Sequence, residues 1–260
     1  MDTSTAAGFV LGFDVAPDVS FVAGGVVGLG LAFLVVAGIA VVLLAIKRSL
    51  VNACPVGLRF HDAIVESYPE LDHQSLSSYT EGLEELGFAP LADYTISAEQ
   101  GTVQPGFARL FGNEQLACYA EINQLFPVTA TVPMRVVFVS RFTEDWSAVT
   151  TDRVADAGVW LLRRPTGCWR SVPGESVANL LAIHADLCRI VLDQTRCRVH
   201  RPVSSENWYD EERRNAVTVR QCIEKRNVLV LLWEYFTFSG RTEWLGRLIP
   251  ARSNASNDYN

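Results

Sequence analysis

The stretch VSFVAGGVVGLGLAFLVVAGIAVVLLAI, residues 19–46, decides the architecture of this 260-residue chain because it contains no charged side chain. A bilayer core of about 30 Å is crossed by about 20 apolar residues in a helix, so the run is long enough to span it with some tilt. A buried helix of a soluble protein is the alternative, but a soluble helix of this length normally keeps a polar face. We therefore predict a transmembrane helix over residues 19–46.

The charges that flank this run predict its orientation. Asp14 and Asp18 precede it, and Lys47 and Arg48 follow it, which is the reverse of a secretory signal peptide. Because cytoplasmic flanks are enriched in lysine and arginine, we expect an uncleaved single-pass anchor with its N-terminus outside and residues 47–260 in the cytoplasm. The basic residues are nearly all arginine, which indicates GC-rich coding and a bacterial source, and hence the inner (plasma) membrane.

Small residues recur along one side of the predicted span. Gly24, Gly28 and Ala32 follow one another at intervals of four residues, a spacing that lets a second helix approach closely in lipid. The alternative is that glycine is simply common in membrane helices. A dinucleotide-binding loop is excluded because no strand precedes the glycines and Arg48 stands where that motif needs an acidic residue. We predict a helix-packing face at these three positions.

The composition of the whole chain argues against a nucleic-acid partner. The sequence has 29 acidic and 22 basic side chains and a formal net charge of −7, whereas phosphate backbones require a strongly basic surface. The predicted partners are instead the lipid bilayer and other membrane protein subunits, in a hetero-oligomer. We expect these regions, in order: residues 1–18, a short extracytoplasmic segment; 19–46, the transmembrane helix; 47–71, a juxtamembrane connector; 72–202, an α+β domain; 203–250, a C-terminal helical extension; and 251–260, a disordered tail.

Hydrophobic periodicity predicts the secondary structure of the cytoplasmic part. One helix is expected to begin at Asp72 or Ser75 and to end at Gly87, and a second to follow Ser176. Between them, short runs with period two joined by tight turns predict an antiparallel meander sheet, with the helices packed on one face. The predicted strands are residues 88–96, 107–111, 115–122, 134–142, 146–151, 159–162 and 169–172.

Three further segments are predicted as helical. Residues 59–68 have an apolar residue at every fourth position and predict a short helix, and residues 206–235 predict one long helix that begins with acidic side chains. Residues 228–233 within it are almost all apolar, so that part is a core element, with a strand as an alternative, or a contact with a partner. Residues 241–248 predict a short basic amphipathic helix, which either lies on the membrane or closes the domain.

His184 and Cys188 are the candidate site residues on the second predicted helix. With Cys197 and His200 they offer four zinc-type ligands, but His184 and Cys188 fall within the apolar stripe of the helix, and the chain has no Cys-x2-Cys pair. We therefore predict no metal and no cofactor, and a buried, hydrogen-bonded histidine beside a possible pocket. The six cysteines are expected to be reduced in the cytoplasm.

Basic and aromatic side chains in the C-terminal part are candidates for contact with lipid or with an acidic partner, although simple surface charge is the better explanation of the basic ones. These candidates are Arg189, Arg196, Arg198, Arg201, Trp244 and Arg247. Three tryptophans, Trp208, Trp233 and Trp244, are further expected to form an aromatic-rich surface.

No P-loop, nucleophile elbow, metalloprotease helix or kinase signature occurs, and we assign no catalytic residue. The predicted span contains no ionisable group, so it offers no proton or ion path. The sequence favours a non-catalytic single-pass subunit that helps to assemble or stabilise a membrane complex. The alternatives are a membrane-tethered enzyme and a ligand-sensing domain, each with a pocket near His184.

Overall fold

The computed structural model describes residues 19–127, 132–154 and 156–247. The chain divides into two compact units, Met1–Ala45 and Ile46–Asn260. The predicted extracytoplasmic segment, residues 1–18, and the predicted tail, residues 251–260, lie outside the described residues.

The first element is helix α1, Val19–Ala53, which contains Gly24, Gly28 and Ala32. It continues past the predicted end at residue 46. Its segment Phe33–Ala53 has a mean hydropathy of 2.3, and the most apolar part of that segment is not buried. One helix is therefore long and apolar enough to cross a membrane, as predicted, by length and composition.

The second unit is built on an eight-stranded sheet whose strands lie side by side in sequence order. The central strands pair antiparallel with one another, and the predicted hairpin near residue 114 joins the strand over residues 106–113 to the strand over residues 118–125. The strands are β1 Val56–Asp62, β2 Ala89–Gln100, β3 Gly106–Asn113, β4 Cys118–Leu125, β5 Arg135–Arg141, β6 Ser147–Thr151, β7 Gly167–Ser171 and β8 Glu243–Trp244.

The sheet is mixed, so the prediction of a purely antiparallel meander is wrong at one pair. Strands β6 and β7 are parallel, and they are joined by helix α3, Ala157–Leu161, where the sequence predicted a strand over residues 159–162. The Asp156 side chain accepts a hydrogen bond from the backbone N–H of Val159 and caps this helix. Because each strand has only five residues, one short helix is enough to bring the chain back to the end of the sheet where β6 begins, so that β7 runs in the same direction.

Helices cover both faces of the sheet, which corrects the prediction of one covered face. On one face, helices α2, His73–Glu85, and α4, Val177–Thr195, pack over the buried rings of Phe111 and Phe138. The predicted signals hold at α2, where Asp72 caps the start and Gly87 follows the end with φ of +80°. On the other face lies helix α5, Ser205–Lys225.

Helix α5 is held on its face of the sheet by aromatic contacts. The Trp208 ring lies 5.1 Å from that of Tyr119, and Tyr209 stacks on Phe60 at 4.3 Å between ring centroids. The strands place apolar side chains on both faces. Leu110, for example, packs on the α5 side, whereas Phe111, the next residue, packs with residues of α2 and α4. Both faces therefore need a covering layer.

Three segments differ from the predicted helices. The long helix over residues 206–235 is two helices, because the Asn227 side chain accepts a hydrogen bond from Leu229 N–H and starts α6, Val228–Phe236. Residues 59–68 contribute to β1 and a single 3-10 turn. Residues 241–247 form β8 and a turn, and Leu248 lies outside the described residues. This segment closes the sheet edge, as the alternative interpretation expected.

The last turns of α1 belong to the second unit. Leu50, Val51 and Cys54 pack against Ile223 of α5 and Leu231 of α6, together with Leu161 of α3. Residues 46–53, although helical, are thus the first part of the α+β unit.

Candidate functional site

A cavity of about 500 Å³ opens beside α4, next to both predicted pocket residues, His184 and Cys188. The side of α4 that faces the cavity carries small alanine side chains, which leave room for it. The first residue of β4 and the end of β5 line the opposite wall. Most of the side chains that line it are apolar. The apolar ones include Leu116, Phe142, Ala178, Leu181, Ala182, Ala185, Leu192 and Val199.

His184 forms the polar floor of this cavity. Its Nδ1 lies 3.1 Å from Thr150 Oγ1, and its Nε2 lies 3.0 Å from Ser140 Oγ and 3.4 Å from Cys188 Sγ. Burial lowers the pKa of His184 to about 3, so the ring is neutral at neutral pH. With its proton on Nδ1, a neutral ring donates to Thr150 and accepts from Ser140, which satisfies both nitrogens.

The thiols around the cavity are protonated. Burial raises the pKa of Cys188 to about 11 and that of Cys118 still further. Because the thiolate is the nucleophilic form of cysteine, neither thiol is activated at neutral pH. The floor therefore offers neutral hydrogen-bonding groups and no ionised reactive group.

The rim of the cavity carries charge, in contrast to its walls. Arg189 and Asp193 lie at the rim, and Arg189 forms an exposed ion pair with Asp186 at 3.1 Å. Apolar walls, a neutral polar floor and a charged mouth suit an uncharged, mainly apolar ligand that accepts or donates one hydrogen bond at His184 or Ser140.

The other predicted zinc-type residues do not join His184 in a ligand set. Cys197 is buried in a separate apolar contact beside Phe142 and Leu187, and the backbone N–H of His200 donates to the Arg141 carbonyl. Within residues 19–127, 132–154 and 156–247, no group of three or more His, Cys, Asp or Glu side chains is arranged to hold a metal ion.

The predicted basic contact residues lie in two places. Arg196 ends α4 in the left-handed conformation with φ of 58°, and exposed Arg198 and Arg201 follow it in the loop to α5. Arg189 is exposed one to two turns earlier on α4. Arg247 is exposed three residues after β8, and its backbone N–H donates to the Pro165 carbonyl.

Of the three predicted surface tryptophans, Trp208 is buried and Trp244 is half-buried, which corrects the predicted aromatic-rich surface. Trp208 is buried under α5, and Trp244 lies against Trp160 with ring centroids 5.3 Å apart. Trp233 on α6 is 70% exposed.

Sequence reasoning missed the side of α6 that faces outward. Leu229, Trp233 and Phe236 are 57%, 70% and 78% exposed, and their spacing of four and three residues puts them on one side of the helix. We call these three residues the α6 stripe. The sequence offered a core element or a partner contact for residues 228–233 and gave Trp233 as a surface candidate, but it did not identify Leu229 and Phe236 as its neighbours on one exposed side.

Sequence reasoning also missed a buried polar network between α5 and the sheet. Tyr94 donates to the Glu121 carboxylate and accepts a 3.0 Å hydrogen bond from Trp208 Nε1. Burial raises the pKa of Glu121. Nearby, Arg141 pairs with Glu212 of α5. These contacts connect residues far apart in sequence and fix α5 on the sheet.

Comparison with known protein families, with curated proteins and with solved structures gives no match.

Proposed function

We propose that this protein is a single-pass, non-catalytic subunit of a membrane protein complex, held in the inner membrane by α1 with its α+β domain in the cytoplasm. The observation that carries the proposal is the apolar segment Phe33–Ala53 of α1, whose most apolar window is not buried against the chain. Side chains such as Phe33 and Val41 are 73% and 65% exposed. An uncovered apolar helix is stable in hydrocarbon and costly in water.

The charge distribution supports the orientation. Lys47 and Arg48 follow the uncharged run, whereas Asp14 and Asp18 precede it. Since basic flanks stay in the cytoplasm, the α+β unit lies on the cytoplasmic side.

Helix α1 also supports assembly with other membrane proteins. Gly24, Gly28 and Ala32 share one side of it, where small residues let a neighbouring helix pack closely by dispersion. The partner helices belong to other subunits, which makes the complex a hetero-oligomer.

The chemistry of the cavity supports a binding role over catalysis. A histidine that acts as a general base is normally oriented by a carboxylate that stabilises its charged form, whereas His184 has the Thr150 hydroxyl at that nitrogen. With a pKa of about 3, His184 is a weak base at neutral pH.

Purification in mild detergent followed by mass spectrometry tests the proposal. We expect other membrane proteins to co-purify with the chain and Gly28→Ile to release them. Gly30→Ile is the matched control, because Gly30 lies about 200° around the helix from Gly28. Recovery of the wild-type chain alone, as a monomer, contradicts the proposal, and equal release by both variants contradicts the packing face.

A ligand-sensing domain is the second candidate, and the cavity beside His184 is the observation that favours it. A thermal-shift screen of the full chain in detergent, with uncharged apolar compounds, tests this function. We expect a ligand to raise the melting temperature of the wild type and to lose that effect in Ala182→Phe, which fills the cavity with a ring. A shift that survives in Ala182→Phe excludes this cavity as the binding site.

A further inference from the structure

We infer that the α6 stripe, Leu229, Trp233 and Phe236, rests on the cytoplasmic surface of the same bilayer that α1 crosses. The inference depends on the proposed membrane anchoring and adds a second, peripheral contact with lipid. It assigns the headgroup and upper acyl region of the membrane as the occupant of this surface.

The first support is the exposure of large apolar side chains in a folded domain. The opposite side of α6 is anchored by Leu231, which is completely buried, so the stripe faces outward in a helix that is firmly packed. Helix α3 contacts α6, and Val159 of α3 and Leu162 just after it are also exposed. Large apolar side chains exposed together on a folded domain mark an interaction site.

The second support is the continuity of α6 with the anchor. Leu50, Val51 and Cys54, in and just after the last turns of α1, belong to the same apolar cluster as Leu231. Leu50 lies four residues, about 6 Å of helix, beyond the end of the uncharged run at Ile46. The chain therefore tethers α6 close to the membrane exit.

The third support is the chemistry of the side chains. Tryptophan, tyrosine and phenylalanine suit the interface between headgroups and acyl chains, and Tyr235 lies beside Phe236 with ring centroids 5.5 Å apart. The single acid of α6, Glu234, is paired with Arg163 at 2.6 Å and with Arg226. The helix thus presents no unpaired carboxylate to the membrane.

Exposed basic residues flank α6 and the cytoplasmic end of the uncharged run, and they favour anionic headgroups. Lys225 ends α5 three residues before α6, Arg241 lies five residues after α6, and Arg48 lies in the last turns of α1. A cation near an anionic leaflet is attracted to it. An aromatic stripe with basic flanks is better matched by the surface of an anionic bilayer than by an acidic or purely apolar patch on another protein.

Tryptophan quenching in lipid nanodiscs tests the inference on the full chain. The discs contain phosphatidylcholine and phosphatidylglycerol, with bromine at shallow acyl positions as the quencher. We expect the wild type to be quenched and Trp233→Phe to lose that quenching. Leu229→Asp is expected to weaken the quenching of Trp233, whereas Ile64→Asp, a matched change at a 66% exposed isoleucine just before the 3-10 turn, leaves it intact.

Co-elution of the chain with the discs separates the two proposals. If the chain does not enter the discs, membrane anchoring fails and the inference fails with it. If it enters but Trp233 is quenched no more than in unbrominated lipid, anchoring stands and the surface contact is overturned. Protection of Trp233 from aqueous acrylamide that grows with protein concentration, without quenching by bromine, assigns the stripe to a second copy and also overturns the inference.

Discussion

Helices α4 and α6 both carry apolar side chains at helical spacing, yet they use them in opposite ways. In the apolar stripe of α4, Leu180, Leu187 and Val191 are completely buried against the sheet. The stripe of α6 is exposed, and only Leu231 on its other side is fully buried. Hydrophobic periodicity therefore identifies an apolar face of a helix but does not identify what covers that face.

The largest effect is expected in the core under α4. Leu187→Ala removes a completely buried side chain and leaves a cavity, which lowers the free energy of unfolding by about 2–5 kcal/mol. Urea denaturation of the full chain in detergent, followed by near-ultraviolet circular dichroism, measures the change. A loss below about 1 kcal/mol would mean that α4 is loosely packed and would remove the contrast with α6.

The next largest effect is expected in the pH dependence of the free energy of unfolding, to which His184 of α4 contributes. Its pKa is lowered from 6.5 to about 3 in the folded chain by burial, so the unfolded chain binds a proton that the folded chain does not. The contribution to stability is complete above pH 6.5 and is lost as pH falls towards 3. Between pH 7 and pH 5 we expect a loss of about 2 kcal/mol from this residue.

Unfolding at a series of pH values checks the contribution of His184. The variant His184→Gln keeps a polar side chain and is expected to lose this part of the pH dependence. His73→Gln, at an exposed position on the first turn of α2, serves as the control and should retain the wild-type slope. Equal slopes for the wild type and His184→Gln would contradict the buried, neutral histidine.

The smallest effect is expected on the α6 stripe in detergent. Phe236→Ala removes a side chain that is 78% exposed, so the free energy of unfolding should change by less than about 0.5 kcal/mol. The same urea titration measures it beside Leu187→Ala. A loss as large as that of Leu187→Ala would mean that the chain itself covers the stripe, and the surface would then be structural.

The sequence predicted those elements whose signals are local. Asp72 as a helix cap, Gly87 as a helix end and the β3–β4 hairpin each depend on a few neighbouring residues. The length and composition of α1 were equally readable, because a long uncharged run needs no knowledge of the rest of the chain. His184 was predicted to be buried from its position in the apolar stripe of α4, and it is.

Tertiary contacts decided the features that sequence reasoning got wrong. Helix α3 is too short to display a helical period, and β8 has two residues whose partners lie more than 70 positions away in β7. The partners of His184 are similarly distant, since Ser140 and Thr150 come from β5 and β6. Such pairings follow from the order of the strands in the sheet, which local patterns do not encode.

Protease accessibility in sealed cells tests whether α1 spans the membrane with the α+β unit inside. The chain carries a C-terminal epitope tag for detection. We expect external protease to leave the tagged domain intact until the cells are permeabilised. We also expect alkaline carbonate not to extract the chain from the membrane fraction. Digestion of the domain in sealed cells, or release of the intact chain by carbonate, would contradict it.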